Sequence, residues 1–448
     1  MKSVRRTIVW IALLGLLALA AFIFIPERRT PVQKAEVPAL GTPEGGAPLY
    51  AARLGDCAAC HTADGGEPFA GGRPIDSPFG AIYSSNITPD PDTGIGGMTL
   101  DQFRAALYDG IGQDGRNLYP AMPYANYRKL TEADVQALHT YFTSELKPVR
   151  NAVPETDLDF PFNLRWGIRA WKWMALPSAG FEPHFGDARL DRGAYLVEGP
   201  GHCGACHSPR NLAFAQEGYT SQDTEFLSGG NVGGWSAPDL RTAIARWRTI
   251  DIDLFLATGR NAHAGVNGEM KLAVEHSLQF LTDEDRAAMT AYLVALGPTR
   301  DEPAEAAPAV VVSRAESLGA ETATATERLL IAAEPSMPLG ARLYLDNCAA
   351  CHFVDGKGGS QIFPALDGNA TVTANSPAGL VTTILEGAEL PSTRTRPMAV
   401  AMPGFGGRLN DSEVAVLASF LRGAWHNKAG PITAAAVGEF RGKVSKAD

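Results

Sequence analysis

Cysteine and histidine carry the clearest chemistry in this 448-residue chain. Its six cysteines are Cys57, Cys60, Cys203, Cys206, Cys348 and Cys351. They form three Cys-x-x-Cys pairs, each followed at once by a histidine: His61, His207 and His352. A thiol pair at that spacing with an imidazole behind it is the attachment motif for c-type haem. The thiols add to the two vinyl groups, and the histidine becomes the proximal iron ligand. A redox disulfide does not require the histidine, and a zinc site needs more thiol or imidazole ligands than one such motif offers. The pattern implies three covalently bound haem c groups.

The sixth iron ligand separates electron transfer from small-molecule chemistry. A methionine there closes the site and raises the potential. Met122, Met270 and Met402 follow the motif histidines by 61, 63 and 50 residues. Met122 and Met402 precede prolines, Pro123 and Pro403, whereas Met270 precedes Lys271. The expected iron ligands are thus His61 with Met122, His207 with Met270, and His352 with Met402. Met98 in the first unit, His263 or His276 in the second and Met398 in the third stand as alternatives. Met289 and Met174 read as core and linker residues. His139, His184, His202 and His426 lack a matching context and read as surface or packing histidines. A proximal histidine usually donates its other ring nitrogen to a fixed carbonyl, and the loops at Pro238 and Pro364 are candidates. No nucleophile elbow, phosphate loop or dinucleotide fingerprint accompanies these groups, so no catalytic residue is expected. The glycine-rich stretch 229–234 reads as a haem-cover loop.

These ligands need elements to hold them. The motifs begin at positions 57, 203 and 348, intervals of 146 and 145 residues, which points to three repeated units. A short helical pattern containing a tyrosine precedes each motif: residues 49–54 with Tyr50, 192–197 with Tyr195, and 340–345 with Tyr344. An amphipathic helix closes each unit, starting at Thr131 with Asp134, Thr282 with Asp285, and Asn410 with Glu413 three residues on. Strong period-two alternation is missing. The fold class is mainly α: three tandem cytochrome c-type domains with long loops, plus an N-terminal membrane helix.

The expected layout is a membrane anchor or signal segment at 1–29, a linker at 30–47 and domain 1 at 48–147. An aromatic interdomain segment at 148–188 carries Trp166, Trp171 and Trp173. It either packs the domains together or faces a partner or membrane. Domain 2 covers 189–297, an Ala-, Glu-, Thr- and Pro-rich flexible linker 298–337, domain 3 338–426, and a polar, fraying tail 427–448. The apolar run at 8–25 is about one bilayer core long as a helix, and Lys2, Arg5 and Arg6 precede it. Its continuation past Ala20 favours an uncleaved anchor over a cleaved signal. Either way the haem units lie on the periplasmic side of the membrane. The net charge of −10 argues against nucleic acid as a partner.

Several runs resemble the cytochrome c subunit of membrane-bound bacterial dehydrogenases, of the alcohol dehydrogenase and gluconate 2-dehydrogenase type. They are residues 55–62, 78–80, 86–90, 93–96 and 118–124 in the first unit, and 192–199, 202–207, 209–211 and 234–238 in the second. The resemblance is close over about 45–300, and the third unit looks like a more generic c-type domain. It implies an electron relay with no turnover of its own. A catalytic dehydrogenase subunit of quinoprotein, flavoprotein or molybdenum type oxidises an alcohol, sugar acid or aldehyde. Electrons then pass to membrane quinone or a terminal oxidase. A general membrane-anchored donor to a terminal oxidase and a haem peroxidase are the competing readings.

Overall fold

A computed structural model describes residues 2–38, 40–232, 235–298 and 323–444. It is mainly helical, and its buried side chains form three clusters in chain order. At each cluster the helix before a cysteine motif packs on a later helix. The pairs are Gly46–Leu54 with Glu132–Thr140, Ala188–Glu198 with Asp283–Leu296, and Leu339–Asn347 with Asp411–Gly423. The expected caps start the later helices. Thr131 and Thr282 accept from the backbone N–H of Asp134 and Asp285, and Asn410 forms a reciprocal capping box with Glu413.

Glycine brings two of these pairs into backbone contact. A Cβ on Gly193 would lie 2.1 Å from Ala288 O, and one on Gly340 would lie 2.7 Å from Val416 O. Gly193→Ala is therefore expected to destabilise the protein by about 1–3 kcal/mol through forced separation of the helices. Helix propensity alone would favour the alanine by ~1 kcal/mol. Thermal unfolding decides between them, since a raised Tm would contradict the close approach.

The first and second units exchange their tyrosines. Tyr50 Oη donates to Asp285 Oδ2 at 2.8 Å and accepts from Thr282 N at 3.2 Å. Reciprocally, Tyr195 Oη donates to Asp134 Oδ2 and accepts from Thr131 N at 3.1 Å. Each tyrosine thus completes the N-terminus of the other unit's closing helix, where backbone donors lack intrahelical partners. Tyr50 and Leu54 accordingly join the second buried cluster. A buried ion pair between Lys129 and Glu198, 2.8 Å, adds to the same seam.

The third cluster is docked on the second. Arg260 Nη2 donates to Met398 O at 3.2 Å, Gln361 N to Asn261 O at 3.1 Å, Asn267 Nδ2 to Thr383 Oγ1 at 3.0 Å, and Ser392 N to Glu275 Oε1 at 2.8 Å. Of the linker expected at 298–337, residues 299–322 lie outside the described residues. Ala325–Ala332 is a capped helix whose Leu330 is buried in the third cluster. The tail differs from expectation too. Ala434–Val444 is helical, with Val437 buried and Arg441 bonded to Asp411, Gly406 and Leu409 at 2.6–2.8 Å. Its apolar residues find the Asp411–Gly423 helix, a partner that local composition does not reveal.

Short strands that the alternation did not signal also occur. Pro74–Ser77, Gly80–Tyr83 and Asp157–Leu158 form an antiparallel sheet. Gly230–Val232 pairs with Trp235–Ala237, so the stretch at 229–234 enters a hairpin, with 233–234 outside the described residues. Gly387–Glu389 pairs with Ala401–Pro403. Two to four residues are too few to display a period. The helix Lys2–Phe24 contains the apolar window Arg6–Ile23.

Candidate haem-binding sites

Each cysteine motif forms a short helix: Cys57–His61, Gly204–His207 and Ala349–His352. A helical turn brings residues three and four apart onto one side, which suits the two cysteines of each motif and the first cysteine with the histidine. The three histidines share one arrangement. His61 Nδ1 lies 2.7 Å from Ser85 O, His207 Nδ1 2.9 Å from Pro238 O, and His352 Nδ1 2.9 Å from Pro364 O. A carbonyl can only accept, so the proton sits on Nδ1 and Nε2 keeps its lone pair. The backbone carbonyls of the same histidines accept from Gly71, Gly229 and Gly358 N–H at 2.8, 2.7 and 3.2 Å.

The two proline anchors are those that the sequence suggested. Ser85 was missed, because a serine carbonyl carries no sign of being fixed. Its neighbour Asn86 supplies the rigidity. Asn86 Oδ1 accepts from Thr88 N at 2.9 Å, and Asn86 Nδ2 donates to Val149 O at 2.7 Å. A buried asparagine so tied holds the preceding peptide in place.

Burial lowers the pKa of His61, His207 and His352, partly offset by the carbonyl bonds, which keeps the imidazoles neutral and able to bind a metal. Burial also pushes Cys60, Cys203 and Cys348 up to about 12 and Cys206 to about 11, so the sulfurs remain neutral. None of the six is in a disulfide. Among the described residues, no three His, Cys, Asp or Glu side chains cluster to hold a metal alone. A cavity of about 2280 Å³ runs past Met122, Ala205, Gln216, Trp235, Pro238 and Ala370. Neutral thiols and an oriented imidazole fit a thioether-linked haem, and at the second motif the cavity passes Ala205, between the two cysteines, and Pro238, which holds His207.

The expected methionines fall at comparable places. Met122, Met270 and Met402 are each partly buried against the first, second and third clusters. Met122 lines the cavity, Met270 lies in the first turn of Glu269–His276, and Met402 pairs with Ala388 in a strand. Of the alternatives, Met98 is buried in the first core and Met398 is 74% exposed. His263 stacks on Trp247 with its Nε2 3.5 Å from Asp251, and burial lowers His276. Met289 is buried in the second core, whereas Met174 is exposed. Of the histidines read as surface or packing residues, His202 is a packing one. It is packed against Tyr127, and burial lowers its pKa to about 4.

The first motif helix, Cys57–His61, lies against Glu269–His276 of the second unit. Arg73 Nη2 bonds Glu269 at 2.9 Å, joining the first unit to the helix that carries Met270.

Comparison with known proteins agrees with this chemistry. The cytochrome c family profile matches residues 190–297 and 338–425. The chain is 40% identical over 401 residues to the cytochrome c subunit of alcohol dehydrogenase (quinone) from Gluconobacter oxydans (strain 621H), covering 88% of this chain and 81% of that one. It is 39% identical to the gluconate 2-dehydrogenase cytochrome c subunit of Pantoea cypripedii, covering 85% of each. It is 38% identical to the fructose dehydrogenase cytochrome subunit of Gluconobacter japonicus, covering 88% and 81%. Alignments of this length pass well beyond 45–300, so the likeness includes the third unit, which the sequence reading had treated as generic. A haem-binding electron carrier rather than a catalytic subunit, this chain belongs to the family of cytochrome c subunits of alcohol, gluconate and fructose dehydrogenases.

Proposed function

We propose that the chain carries three covalent haem c groups and relays electrons from a periplasmic dehydrogenase subunit to membrane quinone or a terminal oxidase. When bound, each haem supplies a one-electron iron couple. Cys57 and Cys60, Cys203 and Cys206, and Cys348 and Cys351 hold them. His61, His207 and His352 are the proximal ligands, and Met122, Met270 and Met402 the distal ones. The carrying observation is the threefold repetition of an imidazole fixed through Nδ1 on a backbone carbonyl. A fixed ring lets the ligand set survive a change of iron charge with little rearrangement.

The substrate of the partner is an alcohol, a sugar or a sugar acid, in keeping with the relatives, or an aldehyde. The helix Lys2–Phe24 anchors the chain in the cytoplasmic membrane with the haem units on the periplasmic side. The three clusters correspond to three cytochrome c domains, the first two with the boundaries given above. The helices Ala325–Ala332 and Ala434–Val444, both packed on the third cluster, extend the third domain beyond 338–426 in each direction.

Gentle purification of the tagged chain from its native membranes tests the relay. A dehydrogenase subunit should co-purify in stoichiometric amount and should reduce the haems when given its substrate. Recovery of a terminal oxidase alone would overturn the reading and identify a general membrane-anchored cytochrome.

A further inference from the structure

We propose that the helix Gly167–Ala175, with the turn before it, rests on the boundary between lipid headgroups and acyl chains beside the N-terminal span. The proposal depends on the reading of Lys2–Phe24 as a membrane anchor. The segment 148–188 does pack the first two units together. Lys172 Nζ reaches Asp109 O at 2.9 Å, and Trp171 Nε1 donates to Ala213 O at 2.8 Å. Its other face is left bare. Trp166 is 40% exposed, Trp173 69%, Met174 75% and Phe160 76%. Trp166, Trp173 and Met174 recur at the spacing of one helix face, while Ile168 and Lys172 face inward.

The position of this face is fixed by the outer end of the apolar helix. Phe22, inside the apolar window, meets Trp173 edge-on at 4.9 Å and Trp166 at 6.4 Å. Arg169 Nη1 donates to the carbonyls of Phe22 and Ile25, the latter at 2.6 Å. Carbonyls at a helix C-terminus lack intrahelical donors, and a cation there also suits the helix dipole. Lys172 adds an ion pair to Glu27 at 2.8 Å. Three tethers thus hold the bare tryptophans at the depth where the span leaves hydrocarbon. Tryptophan favours that depth, with an apolar ring and a polar edge. An apolar face lying in the interface beside a span adds a second attachment.

Lipid photocrosslinking tests the contact. The haem-loaded full chain, with whatever subunits purify with it, is placed in phosphatidylcholine–phosphatidylglycerol nanodiscs that carry a diazirine phospholipid. Adducts are mapped by mass spectrometry. Label is expected in both 6–23 and 160–174. Trp166→Asp with Trp173→Asp should bring the 160–174 label down to background and leave the 6–23 label unchanged. Label confined to 6–23 would overturn the proposal and keep the anchor, meaning that protein covers the patch. Absence of label from 6–23 would overturn the anchor reading itself, whatever happens at 160–174.

Discussion

Asp285→Ala lowers the stability of the haem-loaded chain by about 3–5 kcal/mol, the usual cost of leaving one member of a buried ion pair alone. In a protein of this size the Tm falls by about 3–5 °C. Asp285 is fully buried, and both of its oxygens are occupied. Arg192 Nε and Nη2 donate to it at 2.9 and 2.7 Å, Tyr50 Oη at 2.8 Å and Leu40 N at 3.2 Å. Burial disfavours the Arg192 charge, but the bond and charge of Asp285 overcome that, and the net pKa shift is upward. Without the carboxylate, the guanidinium keeps only Val37 O among the bonds described here. The loss also removes the bond that Tyr50 donates into the second unit, leaving only the one it accepts from Thr282 N, so the two units should loosen together. Calorimetry of the variant measures the cost, and a Tm within about 1 °C of the parent would contradict it. The triple replacement Tyr50→Phe, Arg192→Met and Asp285→Leu removes the three polar side chains of the network at once and should recover part of the stability, because hydrophobic substitutes for buried ion pairs are often neutral or better, while the backbone groups Val37 O, Leu40 N and Thr282 N lose their partners.

In Met122→Ala, one haem keeps its covalent attachment through Cys57 and Cys60, and its midpoint potential falls by at least about 60 mV, one decade in a one-electron equilibrium. The thioether of methionine favours the reduced iron, and axial ligands set potentials over a range of ~0.8 V. Met122 lies in the loop between Tyr119 and Tyr124, whose N–H donates to Met122 O at 2.8 Å. The loop lines the large cavity, which favours a ligand role over the buried core role of Met98. A spectroelectrochemical titration should show one component displaced and the others unmoved. Carbon monoxide should bind the reduced variant at that component alone. Met98→Leu, which keeps the core volume, should leave the titration unchanged. A displaced component in Met98→Leu with none in Met122→Ala would exchange the two assignments.

What the sequence could determine was chemistry confined to a few neighbouring residues. Two thiols and an imidazole within five positions define a haem attachment wherever the chain goes. Thr131, Thr282 and Asn410 cap helices through bonds to residues three positions away. Pro238 and Pro364 were legible as anchors because a locked φ is a property of proline itself. The tertiary structure decided whatever joins distant residues. Tyr50 and Asp285 are 235 positions apart, and nothing near either one predicts that the lead-in tyrosines are exchanged between units. Ser85 became an anchor only because Asn86 is tied to Val149. The tail and the Ala325–Ala332 helix look polar or flexible by composition, yet each has a few apolar residues that a neighbouring helix can bury. Composition records how much apolar surface a segment has, whereas burial depends on what the rest of the chain places against it.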